Sequence, residues 1–195
     1  MDLTFKILFF ICAFIIIWAM AGYQLSLKII IKFYKKRKLK KDYQNQPSVT
    51  VMITAHNEEK VIHDKLKNVI ELNYPREKIE FLVASDNSTD RTNEIVDDFI
   101  ASHPEFNIRC CITKARMGKT NAQNEAQETI TTDYIVMTDA NSMLEKDAVR
   151  ELMAAFTSDD IAYVTGRLAI VNQNASNVSG AEAGDWDKDL AIRRG

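Results

Sequence analysis

The chain has 195 residues, 46% of them hydrophobic, and a formal net charge of −2. That length holds one ordinary domain plus a small appendage, since soluble domains run to roughly 100–150 residues. The balance hides two opposite parts: residues 1–41 carry a net +8 and the remainder a net −10, and an acidic globular part argues against a nucleic-acid partner.

The first element is apolar. From Ile7 to Gly22 no charged residue occurs, and the apolar run resumes through Leu25, Leu27 and Ile29 to Ile31. A bilayer core takes about 20 mainly apolar residues in a helix, so one transmembrane helix is expected over Leu3 to Leu27, within an anchor comprising residues 1–31. Lys6 lies near enough to one end to snorkel, and Trp18 and Tyr23 suit the other interface. A cleaved signal peptide would have a shorter apolar core and a small-residue cleavage site; a buried core helix would be shorter or show a polar face.

Residues 32–47 read as a basic juxtamembrane linker ending at Pro47. Lys28, Lys32, Lys35, Lys36, Arg37, Lys38, Lys40 and Lys41 lie on this side of the span, against Lys6 alone on the other. That imbalance predicts a cytoplasmic downstream end, with the basic cluster against anionic lipid headgroups. A nucleic-acid-binding arm is the rival reading of such a run; its place beside an apolar span favours membrane lipid.

Beyond Pro47 short β-rich runs alternate with helical patterns. Strands are expected at Val49–Ala55, Ile79–Ser85, Asn107–Thr113, Asp133–Thr138 and Ile161–Thr165. Between them Ile62, Leu66, Val69 and Ile70 share one helical face, as do Thr92, Val96 and Ile100, then Ala122, Ala126 and Ile130, and finally Val149, Leu152, Met153 and Phe156. This alternation predicts an α/β domain, a largely parallel sheet with helices on both faces. Cys12 falls in the span and Cys110 and Cys111 are adjacent, a pattern that suggests neither a disulfide framework nor a cysteine metal site.

Ligands of such sheets bind at the carboxyl ends of the strands, and the polar motifs fall there. Thr54-Ala55-His56-Asn57-Glu58-Glu59 ends the first strand, Ser85-Asp86-Asn87-Ser88-Thr89-Asp90 the second, and Thr138-Asp139-Ala140-Asn141-Ser142 the fourth. A carboxylate at Asp86 or Asp139 can accept a base or ribose hydrogen bond or ligate a hard cation. Lys119, behind Gly118 and opening a helix, joins positive charge to a helix N-terminus, both favourable to phosphate. Together they point to a nucleoside diphosphate with a bridging metal. Asp90 reads as a helix cap, His56 as a solvated loop residue, Glu58-Glu59 as complements of a helix N-terminus, and Lys60–Lys67 as a solvated helix face.

The ordered set of motifs, with Gly118-Lys119, Ala122 and Asn124 between the second and the last, resembles the family-2 glycosyltransferases of the GT-A fold, including the cellulose- and hyaluronan-synthase-like enzymes. The resemblance covers about residues 48–195. Gly166-Arg167-Leu168 and the Glu182, Trp186, Asp189 region also look like members that build bacterial surface polysaccharides. It implies a Rossmann-like, mainly parallel sheet and a cytoplasmic catalytic domain on a single-pass anchor in the bacterial inner membrane. It implies transfer of a sugar, with inversion, from a nucleotide-diphospho-sugar, commonly a UDP-sugar, to a growing polysaccharide or lipid-linked acceptor. Ala55, Asn57 and Glu58 match the loop that cradles base and ribose, and Asp86 the carboxylate that bonds the base. Lys119 matches the basic residue near the diphosphate. Asp139 and Asn141 match the two ends of the Asp-x-Asp motif that holds Mg²⁺ or Mn²⁺.

The sequence departs from that pattern in four ways. Thr54 stands where proline is common, Ser85 replaces the first acid of an Asp-Asp pair, and Asn141 replaces the last acid of the metal motif. The Thr/Glu-Asp general base and the Gln-x-x-Arg-Trp motif do not appear before Gly195. The domain at 48–195 is therefore expected to be C-terminally incomplete, with no catalytic base named and a protein partner or further chain supplying the other half. The alternative is a truncated or degenerate homologue that binds sugar nucleotide or a partner enzyme without turnover. A nucleotidyltransferase would favour a Gly-rich loop after the first strand, which Ala55–Lys60 lacks.

Overall fold

The computed structural model describes residues 3–33 and 40–167. They fall into two compact units, divided near residue 38.

The first unit is helical. Helix α1 (Leu3–Ile17) runs through a π-helical turn, Trp18–Gly22, into α2 (Tyr23–Phe33). Gly22 has a local reason: a Cβ there would lie 2.5 Å from a ring carbon of Trp18, so only glycine lets that indole lie along the turn. Trp18 also stacks on Phe14 with ring centroids 6.0 Å apart. The window Leu3–Met20 has a mean hydropathy of 2.4 and none of it is buried, so it is long and apolar enough to cross a membrane. Lys6 and Lys28 lie roughly 33 Å apart along such a helix at 1.5 Å per residue, close to the thickness of a hydrocarbon core.

The second unit is built on a four-stranded, wholly parallel sheet in the order β3-β2-β1-β4. The strands are β1 (Val49–Ala55), β2 (Ile79–Ser85), β3 (Ile108–Ile112) and β4 (Tyr134–Asp139). The helices are α3 (Ile62–Ile70), α4 (Thr92–Ser102), α5 (Lys119–Gln127) and α6 (Ala148–Met153). Every residue of β1 is buried, as a strand covered on both faces requires.

Alternation along β1 divides the core. Val49, Val51, Ile53 and Ala55 join Phe81 and Val83 and pack with Leu66 and Val69 of α3, Val96 and Phe99 of α4, and Val149 and Met153 of α6. On the other face Met52, Leu82 and Ala84 meet Ala122 and Ala126 of α5, small residues that let this helix approach closely.

Three expectations need correction. Residues 161–165 form no strand: the run has β-type residues, but no described strand pairs with it, and propensity without a partner makes no ladder. The third and fourth strands have shifted ends, Ile108–Ile112 and Tyr134–Asp139. The segment expected as linker, 32–47, also begins inside a helix and ends packed on the domain. Lys32 and Phe33 belong to α2, and residues 40–47 run against the domain. There the Asp42 amide donates to Ala154 O at 2.7 Å, Asn45 Nδ2 to Phe156 O at 2.9 Å and the Tyr74 hydroxyl to Pro47 O at 2.7 Å. Asn45 thus takes a carbonyl just beyond α6 that lacks a helical partner. The motif read at Glu182–Asp189 lies outside the described residues.

Leu66 and Lys67 are adjacent on α3, but only Leu66 is buried. Leu66→Ala should lower the unfolding free energy by about 2–5 kcal/mol, whereas Lys67→Ala should stay within about 0.5 kcal/mol. Urea unfolding of the two variants checks the contrast.

Candidate functional site

The parallel register sets the strand ends level. Ala55 pairs with Ser85 and Thr54 with Asp139. The chain leaves β1 towards β2 on one side, while β4 lies on the other, so the order reverses beside β1. A crevice opens at such a switch point.

The loops after β1 and β2 are zipped together. Asn57 and Asn87 have φ of 55° and 47°, in the left-handed region that asparagine tolerates better than most residues. Asn57 Oδ1 accepts from the Thr89 amide at 2.8 Å, and the Asn57 amide donates to Ser88 Oγ at 3.2 Å. The Glu58 amide donates to Thr92 Oγ1 at 2.8 Å and the Glu59 amide to Asp90 Oδ2 at 3.1 Å. Asp90 Oδ1 accepts from the Thr92 amide at 2.9 Å, a capping-type bond at the start of α4, and bonds from Thr92 and Glu59 outweigh the cost of burial to hold its carboxyl below the usual range. His56 is not merely solvated: its Nδ1 lies 2.7 Å from Asp86 O.

A cleft of about 210 Å³ opens at the ends of β1, β2 and β4. Of the seven residues singled out from sequence, Ala55, Glu58, Asp86, Lys119, Asp139 and Asn141 line it, together with Thr54 and His56. Asn57 does not; its side chain serves the loop just described. Asp86 and Asp139 therefore share one cavity.

Asp86 is 3% exposed and its carboxylate holds the turn that leads to Lys119. Oδ1 accepts from the Met117 amide and Oδ2 from the Gly118 amide, each at 3.0 Å. Gly118 has φ 93° and ψ 164°, a conformation essentially confined to glycine, and α5 begins at the next residue. Lys119 Nζ donates to Asp139 Oδ1 at 2.5 Å, with both side chains about half exposed. A cation and an anion thus meet in the open part of the cleft, ready to exchange partners with a charged ligand. Gln123 Nε2 bonds Thr54 Oγ1 at 3.0 Å, tying α5 to the end of β1. Asp139 and Asn141 bring one carboxylate and one amide oxygen to the cleft. No cluster of three or more acidic, histidine or cysteine ligands occurs among the described residues. This hard, sparse donor set fits a cation such as Mg²⁺ or Mn²⁺ that takes its remaining ligands from water and phosphate.

The expectation of a solvated face over Lys60–Lys67 fails at Lys65. Lys65 is wholly buried, and its Nζ donates to Thr138 Oγ1 at 2.9 Å and to the Ser142 carbonyl. Burial pushes its pKa from 10.5 down to about 8, against the opposing pull of Asp139. The sequence carried a signal for this: Lys65 falls at i+3 from Ile62 and i−4 from Val69, on the apolar stripe of α3. One turn later Asn68 brackets Leu144, its Oδ1 accepting from the amide and its Nδ2 donating to the carbonyl, both at 2.8 Å.

With this geometry in place, residues 50–190 match the profile of the family described as glycosyl transferase family 2. The chain belongs to that family. A probable glycosyltransferase, YdaM, of Bacillus subtilis is 37% identical over 69% of this chain and 33% of its own length. A beta-monoglucosyldiacylglycerol synthase of Synechocystis is 32% identical over 65% of this chain and 26% of its own. A poly-beta-1,6-N-acetyl-D-glucosamine synthase of Staphylococcus epidermidis is 27% identical over 73% and 34%. The chain therefore spans about a third or less of the length of these family-2 relatives. Among solved structures, the mannosyltransferase PcManGT of Pyrobaculum calidifontis, in complex with GDP-Man and Mn²⁺, superposes with a TM-score of 0.65 at 26% identity, covering 72% of this chain and 43% of that one. The GT-A parallel-sheet fold expected from sequence is the fold found.

The direction of the Lys65 shift sets a pH dependence. An unfolded chain keeps this proton up to about 10.5 and the folded one releases it near 8. Between those values the unfolded state binds more protons, so folding stability rises with pH. Melting temperatures at pH 7.5 and 10 should show a gain for the wild type, relative to Lys65→Met, at the higher pH.

Proposed function

We propose that this chain is the donor-binding part of a membrane-anchored glycosyltransferase that takes a sugar from a nucleotide-diphospho-sugar. The observation that carries this reading is the meeting of Asp86, Lys119 and Asp139 in one cleft at the switch point of the sheet. The family-2 relatives include a glycolipid synthase and a polysaccharide synthase, which supports a lipid-linked or growing polysaccharide acceptor. The apolar helical window Leu3–Met20 supports an anchor within residues 1–31, and the basic residues after it support a domain, residues 48–195 with the packed strap before them, on the cytoplasmic face.

Each residue has a task in this reading. The Ala55–Glu58 loop, fixed by Asn57, forms the wall against which base and ribose rest. Asp86 spends one lone pair per oxygen on the Met117–Gly118 turn and keeps others to accept a base N–H, which suits uracil. Lys119 and the N-terminal amides of α5 take the diphosphate. Asp139 and Asn141 would hold Mg²⁺ or Mn²⁺, which when bound neutralises charge on the departing nucleoside diphosphate as a Lewis acid; the Mn²⁺ in PcManGT supports a divalent ion in this site. Diphosphate draws Lys119 away from Asp139 and frees the carboxylate, so the two charged partners of the open pair find their counter-ions together. In the transfer an acceptor hydroxyl oxygen bonds the anomeric carbon and gives up its proton to a general base or to water, as the bond to the diphosphate oxygen breaks and the nucleoside diphosphate leaves, with inversion.

Titrating the full chain in detergent with UDP and with GDP, each with and without Mn²⁺, tests the reading. UDP should bind more tightly with Mn²⁺ present. Asp139→Ala should remove that gain, about tenfold or more on the scale of a lost charged contact, and Asn141→Asp should keep or strengthen it. Equal UDP affinity with and without Mn²⁺ in the wild type sinks the metal assignment, and tighter GDP binding replaces uracil as the base. Removing Mn²⁺ with a chelator should return every variant to the weaker affinity.

A further inference from the structure

We propose that Lys65 is a positioning residue for the metal-facing loop: its buried ammonium holds the backbone between Thr138 and Ser142, and so sets where Asp139 and Asn141 present their oxygens. The proposal rests on the donor-site reading above and adds a residue from an element, α3, that does not line the cleft.

The geometry is a template with two points of attachment. Lys65 and Asn68 lie one turn apart on α3. Lys65 Nζ takes Thr138 Oγ1 at 2.9 Å and the Ser142 carbonyl, and Asn68 takes both backbone groups of Leu144 at 2.8 Å. The bonds bracket Asp139 and Asn141, the former one residue after Thr138 and the latter one before Ser142. Asn73 continues the pattern, its amide donating to Lys146 O at 2.8 Å and its Nδ2 to Asp147 Oδ1 at 2.7 Å. From residue 138 to 147 the loop is thus seated on α3 and the turn that follows it.

Packing alone does not call for a lysine here. Its neighbours on the stripe are Ile62, Leu66 and Val69, all buried, and an apolar side chain would fill the space without the cost of desolvating a charge. What the ammonium adds is charge-assisted bonds to two specific oxygens, Thr138 Oγ1 and the Ser142 carbonyl, and both bonds act on the loop that meets the cation. Partners of this kind, one shell out from a metal, typically alter metal affinity by roughly 10–100-fold when removed.

The test uses the full chain in detergent, with UDP and Mn²⁺ as probes and thermal melting as the control for folding. Lys65→Met keeps the stem and deletes the charge. The expected result is a cooperative melt at or above the wild-type temperature, UDP affinity in chelator equal to wild type, and a gain on adding Mn²⁺ that is about tenfold smaller. A purely structural lysine would instead lower the melting temperature or lower both affinities together, and that pattern overturns the proposal. So does a folded Lys65→Met protein with the full wild-type Mn²⁺ gain. Should Lys65→Met fail to fold, Thr138→Val decides, since it removes one acceptor and leaves the lysine in place: a loss confined to the Mn²⁺ gain supports the proposal, and an unchanged gain overturns it. A wild-type chain whose UDP binding ignores Mn²⁺ overturns the metal assignment and this proposal together, whereas the variant results above overturn this proposal alone.

Discussion

The site depends on the register of one strand. β1 lies between β2 and β4, parallel to both, and its last residues pair with Ser85 on one side and Asp139 on the other. Side chains separated by more than fifty positions in sequence thereby leave the sheet at one height. A slip of one residue in either pairing would turn the alternating core positions Val49, Val51 and Ile53 to the other face, where Ala122 and Ala126 leave room only for a close helix. The hydrophobic core therefore enforces the alignment that the polar residues use.

Charge in the molecule is arranged by depth. The Lys119–Asp139 pair is about half exposed, and such pairs contribute at most about 1 kcal/mol to stability; its worth lies in being exchangeable. Lys65 is the opposite case. Wholly buried and bonded to neutral oxygens, it cannot swap partners with a ligand, and its effect is to fix backbone. Between these extremes stands Asp86, buried but with two amide donors that satisfy its desolvated carboxylate. A ligand arriving in the cleft meets a movable ion pair above a rigid floor.

Much of this was legible in the sequence, and the failures have physical causes. Four parallel strands and their order of motifs were visible because buried strands read as apolar runs and their loops as polar clusters. The strand expected at 161–165 was read from the same composition, but a strand is a pairing and composition names no partner. Lys65 was misread because its charge outweighed its position: the helical period placed it with Ile62, Leu66 and Val69, and the sequence could not show the two oxygens waiting at Thr138 and Ser142. Asn57 was assigned by resemblance to the loop that cradles base and ribose, and what the sequence could not show is that its left-handed backbone and the Thr89 amide put its side chain to work within that loop. The strap at 40–47 was read as part of a basic juxtamembrane linker because it is polar, and polar side chains such as Asn45 are what the carbonyls beyond α6 require.

Asp86 shows why resemblance and geometry need each other here. By resemblance it is a base-binding carboxylate; by geometry it is the anchor of the Met117–Gly118 turn. The two roles are compatible because each carboxylate oxygen has more than one lone pair, and their combination has a consequence. The turn held by Asp86 ends at Gly118, whose positive φ sets the direction in which α5 and Lys119 begin. The group that would read the base thus also sets the start of the helix that would receive the diphosphate, across a span of only two backbone amides. Loss of the carboxylate would be felt at both ends of the nucleotide, since the turn would lose its anchor as the base lost its acceptor. In a site where the ligand's charged end meets exchangeable partners, fixed alignment has to come from the buried groups, and Asp86 supplies it from the sheet as Asn57 does from the loop.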